Sequence, residues 1–153
     1  MSRATLLLAV AVLACGRKSG PVAPQLVKPE TPGALVAASV AAGVRLTWRR
    51  PDSYTSGRKM NDLGSFTIER ATGAAPFELI GELKLDDRLR FRKDTSLDWI
   101  DHEVTPGQEY SYRVIAITID EYESAPAGPI AITFEPKAES KPPPASKPAK
   151  GKP

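Results

Sequence analysis

Two side chains in this 153-residue sequence have the reactivity that catalysis usually borrows: one cysteine, Cys15, and one histidine, His102. A thiolate can attack a carbonyl, bind a soft metal or accept an acyl group, and an imidazole can move protons or ligate a metal. A Cys–His pair does nucleophilic chemistry only when a third group orients the base. His102 stands between Asp101 and Glu103 in a predicted turn, with no second histidine or cysteine to join it, and reads as an exposed turn residue. The acidic clusters Asp86-Asp87 and Glu121-Tyr122-Glu123 lack the ligand spacing of a calcium loop. The chain has no glycine-rich phosphate loop, no Gly-x-Ser-x-Gly elbow and no zinc spacing. The sequence therefore predicts no enzyme, no cofactor and no metal.

The thiol has a different setting. Met1–Thr5 carries one positive charge, Arg3, and Leu6–Ala14 is an unbroken apolar run ending against Cys15. Nine helical residues rise only about 14 Å, under half of a bilayer core, so the run is a signal h-region and not a span. Val12-Leu13-Ala14-Cys15 resembles the lipobox of bacterial lipoproteins. The resemblance implies cleavage between Ala14 and Cys15, diacylation of the Cys15 thiol and a further acyl chain on the new amino terminus. Leu13 departs from it, standing where a smaller residue is usual. Val12-x-Ala14 also satisfies an ordinary cleavage site that would release a soluble secreted protein. A lone cysteine closes no intramolecular disulfide, so in an exported chain it needs some other use, and the resemblance supplies acyl attachment. Two or three acyl chains hold a protein on a membrane essentially permanently, at about 0.8 kcal/mol per buried methylene. The expected location is the cell envelope; Gly16 in place of an Asp favours the outer membrane if the envelope is Gram-negative.

Proline marks the limits of the foldable part. Four of the fifteen lie between Pro21 and Pro32, and six between Pro136 and Pro153. The expected division is a signal peptide over 1–14, a lipidated Pro-rich linker over 15–32, one domain over 33–135 and a Lys/Pro-rich tail over 136–153. The tail has no aromatic or large aliphatic residue and reads as disordered. Its lysines would attract anionic envelope polymers or lipid head groups weakly, at about 1 kcal/mol each near a charged surface. The net charge of +3 belongs to the two ends, because residues 32–134 hold 12 Lys/Arg against 15 Asp/Glu. That balance gives no ground for a nucleic-acid partner.

Between the ends, apolar and polar residues alternate with the period of half-buried strands. Val44, Leu46 and Trp48 share one face; Phe66-Thr-Ile68-Glu repeats the pattern; Phe77–Leu83 reads as a strand with a bulge. Tyr110–Ala116 is the longest such run, and Ile130–Phe134 is the last. Gly and Pro breakers separate them, and the expected class is an all-β antiparallel sandwich of about seven strands. The 84–96 stretch is expected to hold an edge strand around Leu89 and Phe91, its charges blocking edge-to-edge pairing.

Leu46-Thr47-Trp48-Arg49-Arg50-Pro51, Ser65–Arg70, Trp99-Ile100-Asp101 and Val104–Ala116 occur in an order that resembles the fibronectin type III family. The resemblance implies an immunoglobulin-like sandwich with Trp48 at its centre. Tyr110 is placed for a tyrosine corner, its hydroxyl bonding backbone near Val104–Gly107. The 51–64 segment is longer than the usual loop there, and the integrin-binding Arg-Gly-Asp is missing.

One feature points to a partner. Ile115 and Ile117 face away from Tyr112, Val114 and Ala116, and Ile119 extends that line. Left uncovered, they form an apolar stripe of the kind that contacts other proteins; the domain's own long loop is the other candidate to cover it. Two functions follow: a tethered module binding an envelope protein or polymer, or a carbohydrate-associated accessory module in which Tyr54 and Tyr122 stack on sugars.

Overall fold

The computed structural model describes residues 23, 27–90 and 93–137. Seven strands form: β1 (Gly33–Val40), β2 (Gly43–Arg49), β3 (Leu63–Thr72), β4 (Glu78–Lys84), β5 (Ser96–Asp101), β6 (Glu109–Thr118) and β7 (Ala127–Thr133). They make two antiparallel sheets, ordered β1-β2-β5 and β4-β3-β6-β7. The all-β sandwich expected from the alternation is the observed architecture.

The alternation settles which side chains meet. Val44, Leu46 and Trp48 from β2 are fully buried against Phe66 and Ile68 from β3 and Tyr112, Val114 and Ala116 from β6. Trp48 meets Phe66 edge-on, ring centroids 5.5 Å apart, the geometry that puts a positive ring edge on a negative face. The bulge in β4 falls at Ile80, where the register against β3 slips between Gly81 and Leu79. The slip brings bare backbone at Gly81 under Trp99 of β5, where a β-carbon would stand 2.6 Å from the indole. Trp99 thus covers the edge where the two sheets are not hydrogen-bonded to each other.

The 84–96 stretch differs from expectation. It forms a four-residue helix, α1 (Asp87–Arg90), and not an edge strand; Phe91 lies outside the described residues. Local capping decides the outcome, since Asp86 Oδ1 accepts a hydrogen bond from the Leu89 amide at 2.9 Å and so closes the first turn. Leu89 turns inward to pack on the core.

At the opposite end of the sandwich the sheets are pinned by polar contacts. Asp101, at the end of β5, is 3% exposed. Its Oδ2 accepts from Arg70 Nη1 on β3 at 2.7 Å and from the Tyr112 hydroxyl on β6 at 2.9 Å, and its Oδ1 accepts from the Glu103 amide at 3.0 Å. Burial alone works against the Arg70 charge, but the Asp101 hydrogen bond and charge more than offset it and raise its pKa. Burial and then Asp101 hold the Tyr112 hydroxyl protonated far above its ordinary range. Arg70 also lies over the Tyr110 ring at 5.3 Å, and the Tyr110 hydroxyl accepts from the Thr105 amide at 2.9 Å, completing the expected tyrosine corner.

Two stability measurements test this account. Trp48→Ala should cost about 3–5 kcal/mol in urea unfolding, most of a small domain's stability, so an unchanged midpoint contradicts the core assignment. Asp101→Asn leaves Arg70 uncompensated beside a desolvated amide and should cost about 3 kcal/mol. A loss below about 0.5 kcal/mol, the range of ordinary surface changes, would show that the sheets do not depend on this carboxylate.

Candidate functional surfaces

Cys15 and Ala14, the expected lipidation and cleavage positions, lie outside the described residues, as does the tail from residue 138 onward. What the structure does describe is where the chain enters the folded body. Within the stretch assigned to the linker, residues 27–30 are packed, not free. Pro29 is fully buried and bridges to Tyr54, and Val27 packs against the core. Glu30 donates its amide to the Ser53 carbonyl at 3.0 Å, and Thr55 donates to the carbonyl of Lys28 at 2.9 Å. The folded body therefore begins at about Val27, ahead of residue 33. Proline suits this role because the residue it occupies in the bridge gives no amide that needs a partner.

The long 51–64 segment is the other half of that contact. It folds back on itself through the Ser53–Lys59 bridge, and Met60 donates its amide to Asp52. Tyr54 sits inside the fold, 8% exposed, with its hydroxyl donating to Asp62 at 2.7 Å. Burial first, and then the Asp62 hydrogen bond and charge, push its pKa up to about 12. A ring so placed has no face to offer a sugar, which removes Tyr54 from the stacking pair. Tyr122 is half-buried, its amide bonded to Thr118 Oγ1 at 3.0 Å.

The apolar stripe stands on the outer face of the four-stranded sheet. Ile115 pairs with Thr67 and Ile117 with Ser65, and both isoleucines are half-buried by neighbouring side chains. Ile119 lies just past the end of β6 and is 57% exposed. Most of the 51–64 segment lies against residues 27–30, and only its end reaches the stripe, where the Ile119 amide donates to the Asp62 carbonyl at 2.8 Å; the turn after β6 comes back beside Ile117 through its bridge to Glu123. Two further apolar residues stand on the same sheet face, across β3 and the Arg113–Glu69 pair from the stripe. Leu79 on β4 is 64% exposed, and Phe77 lies 4.4 Å beneath the Arg113 guanidinium, which also pairs with Glu69. The signal for Leu79 was present in the β4 bulge, because one extra residue reverses which parity faces out. Beside Ile117 and Ile119 runs a shallow groove of about 610 Å³ whose rim includes Glu82, Lys84, Glu121 and Glu123.

The chemically reactive candidates are scattered. His102 is exposed, its Nδ1 2.9 Å from the Ala42 carbonyl, so it ties the β1–β2 turn to the end of β5. Its neighbour Asp101 points inward to Arg70 and Tyr112, and Asp86 caps α1. Among the described residues no three His, Cys, Asp or Glu side chains converge as metal ligands would.

The chain matches no protein-family model and no curated protein sequence. It is similar in structure to the twitchin kinase region from C. elegans (Fn31-NL-kin-CRD-Ig26), with a TM-score of 0.52 and 18% identity over 72% of this chain and 17% of that one. A β-1,2-glucanase from Parabacteroides distasonis is similar with a TM-score of 0.51 and 14% identity, over 74% of this chain and 14% of that one. The fourth FNIII domain of a human protein is similar with a TM-score of 0.49 and 16% identity, over 76% of this chain and 87% of that one. Identity this low speaks to fold alone, and this chain spans only a small part of the two larger proteins. With its three- and four-stranded sheets, central Trp48 and tyrosine corner, the described body has a fibronectin type III-like sandwich fold.

Proposed function

We propose that this chain is a lipid-anchored protein of the cell envelope whose body serves binding and not catalysis. The observation that carries the anchoring half is the position of the one cysteine, directly after an apolar run too short to span a bilayer. The binding half is supported by the fold and by the apolar residues on the outer face of the four-stranded sheet, Ile119 and Leu79 exposed and Ile115 and Ile117 half-buried. Sandwiches of this kind hold a sheet face rigid at almost no entropic cost to a partner, which is what a docking surface requires. The partner is an envelope protein or polymer on the far side of that face. Burial of Tyr54 leaves the sugar-stacking alternative with a single half-covered ring, so the protein-binding reading is preferred.

Cells fed an alkyne fatty acid should label the wild-type chain and not the Cys15→Ser variant. Label that is absent from both, or equal in both, defeats the anchoring half. For the binding half, Ile119→Glu, at the most exposed isoleucine of the stripe, should abolish the major in-cell crosslink while shifting stability by no more than about 0.5 kcal/mol, as expected of a surface site. Crosslinks that survive the change place the partner on another face.

A further inference from the structure

The cleft between the 50–63 segment and α1 is lined by more cations than acids. Its volume is about 550 Å³, and Arg50, Lys59 and Arg90 line it with Asn61 against a single acid, Asp52. That carboxylate already accepts from Ser53 Oγ at 3.2 Å. Met60 and Leu63, both buried, contribute to the apolar part of its wall.

The two guanidinium groups are fixed in place. Arg50 Nη1 donates to the Leu89 carbonyl at 2.9 Å and to the carbonyl of Arg90, groups that a helix end leaves without partners. Arg90 Nη2 reaches back to the Leu85 carbonyl at 3.3 Å, and its Nη1 lies 3.6 Å from Asp87. Its Nε is buried and meets no acceptor among the described residues. A buried donor without a partner is costly. Two fixed guanidinium charges with an ammonium beside them concentrate positive charge at one spot, which suits the double charge of a phosphate better than the single charge of a carboxylate.

The cleft also sits at a particular place. Residues 27–30 dock on the same 51–60 segment, so the chain from Cys15 enters the body at this pole. Eleven residues, 16–26, separate Cys15 from Val27, which fully stretched is about 40 Å of chain.

We propose that this cleft binds a phosphate group, supplied either by a lipid head group of the anchoring membrane or by free phosphate. The lipid source rests on acylation of Cys15; the site itself does not. The test uses the full chain carrying Cys15→Ser, so that acyl chains play no part. Titration with inorganic phosphate, matched in ionic strength by chloride, should shift the amide resonances of Lys59, Met60 and Asn61 saturably. Lys59→Glu, an exposed position, should weaken that binding about tenfold, the worth of one charge-assisted contact. Arg90→Gln should do the same, with thermal melting confirming that it folds. Vesicles of phosphatidylglycerol that sediment this chain, and fail to sediment the Lys59→Glu variant, point to the lipid source. Phosphate binding without vesicle binding supports the site with free phosphate as its ligand. No saturable shift, equal shifts in chloride, or phosphate binding that both variants retain overturns it. Fatty-acid labelling of the wild type is read separately, so failure of the anchor and failure of the cleft are distinguishable.

Discussion

The buried carboxylate of Asp101 is the constraint around which one pole of this sandwich is arranged. A carboxylate with 3% exposure needs every lone pair answered, and the answers come from β3, from β6 and from the turn after β5. Satisfying it fixes the two sheets relative to each other and sets where the chain turns toward the Tyr110 corner. It also presses the Asp101 carbonyl onto the start of β2, where a β-carbon on Gly43 would lie 1.9 Å away. Gly43 adopts a φ of 141°, so that contact calls for glycine both for its backbone and for its lack of a side chain. The opposite pole, with the 50–63 segment, α1 and the 119–126 turn, is free of this demand and can carry clefts and charged rims instead.

How much was legible in the sequence follows from what each residue had to contrast with. Val44-Arg-Leu-Thr-Trp48 and Tyr110–Ala116 alternate large apolar with polar side chains, so β2 and β6 were readable, and with them the outward parity of Ile115 and Ile117. Strand β1 reads Gly-Ala-Leu-Val-Ala-Ala-Ser-Val, where small residues blur any face, and its pairing with β2 comes from tertiary contact. Helix α1 is too short for periodicity to register. Asp101 carried the wrong prior, since a charged residue in a strand usually points to water. The docked residues 27–30 were hidden for a related reason: proline clusters read as spacers, and only the long 51–64 segment, folded back, gives Pro29 somewhere to be buried.

The candidate surfaces divide in the same way. Backbone parity exposes the isoleucine stripe in the sequence, but the cation-lined cleft needs residues forty positions apart, Arg50 and Arg90, brought together by a helix end that capping alone creates. No local pattern announces such a meeting. The one thiol of the sequence belongs to the segment that precedes the folded body.

The points of entry and exit have a mechanical consequence. Val27 comes in beside the 51–60 segment, whereas β7 leaves at the other pole, where the Glu135 amide bonds Ser39 Oγ and Thr133 pairs with Glu109. Tension applied between the two ends therefore runs along the strands. It loads the β1–β2 and β6–β7 hydrogen bonds together in shear rather than peeling them one after another. A body strung this way transmits pull along its long axis and yields only when a whole row of bonds gives at once.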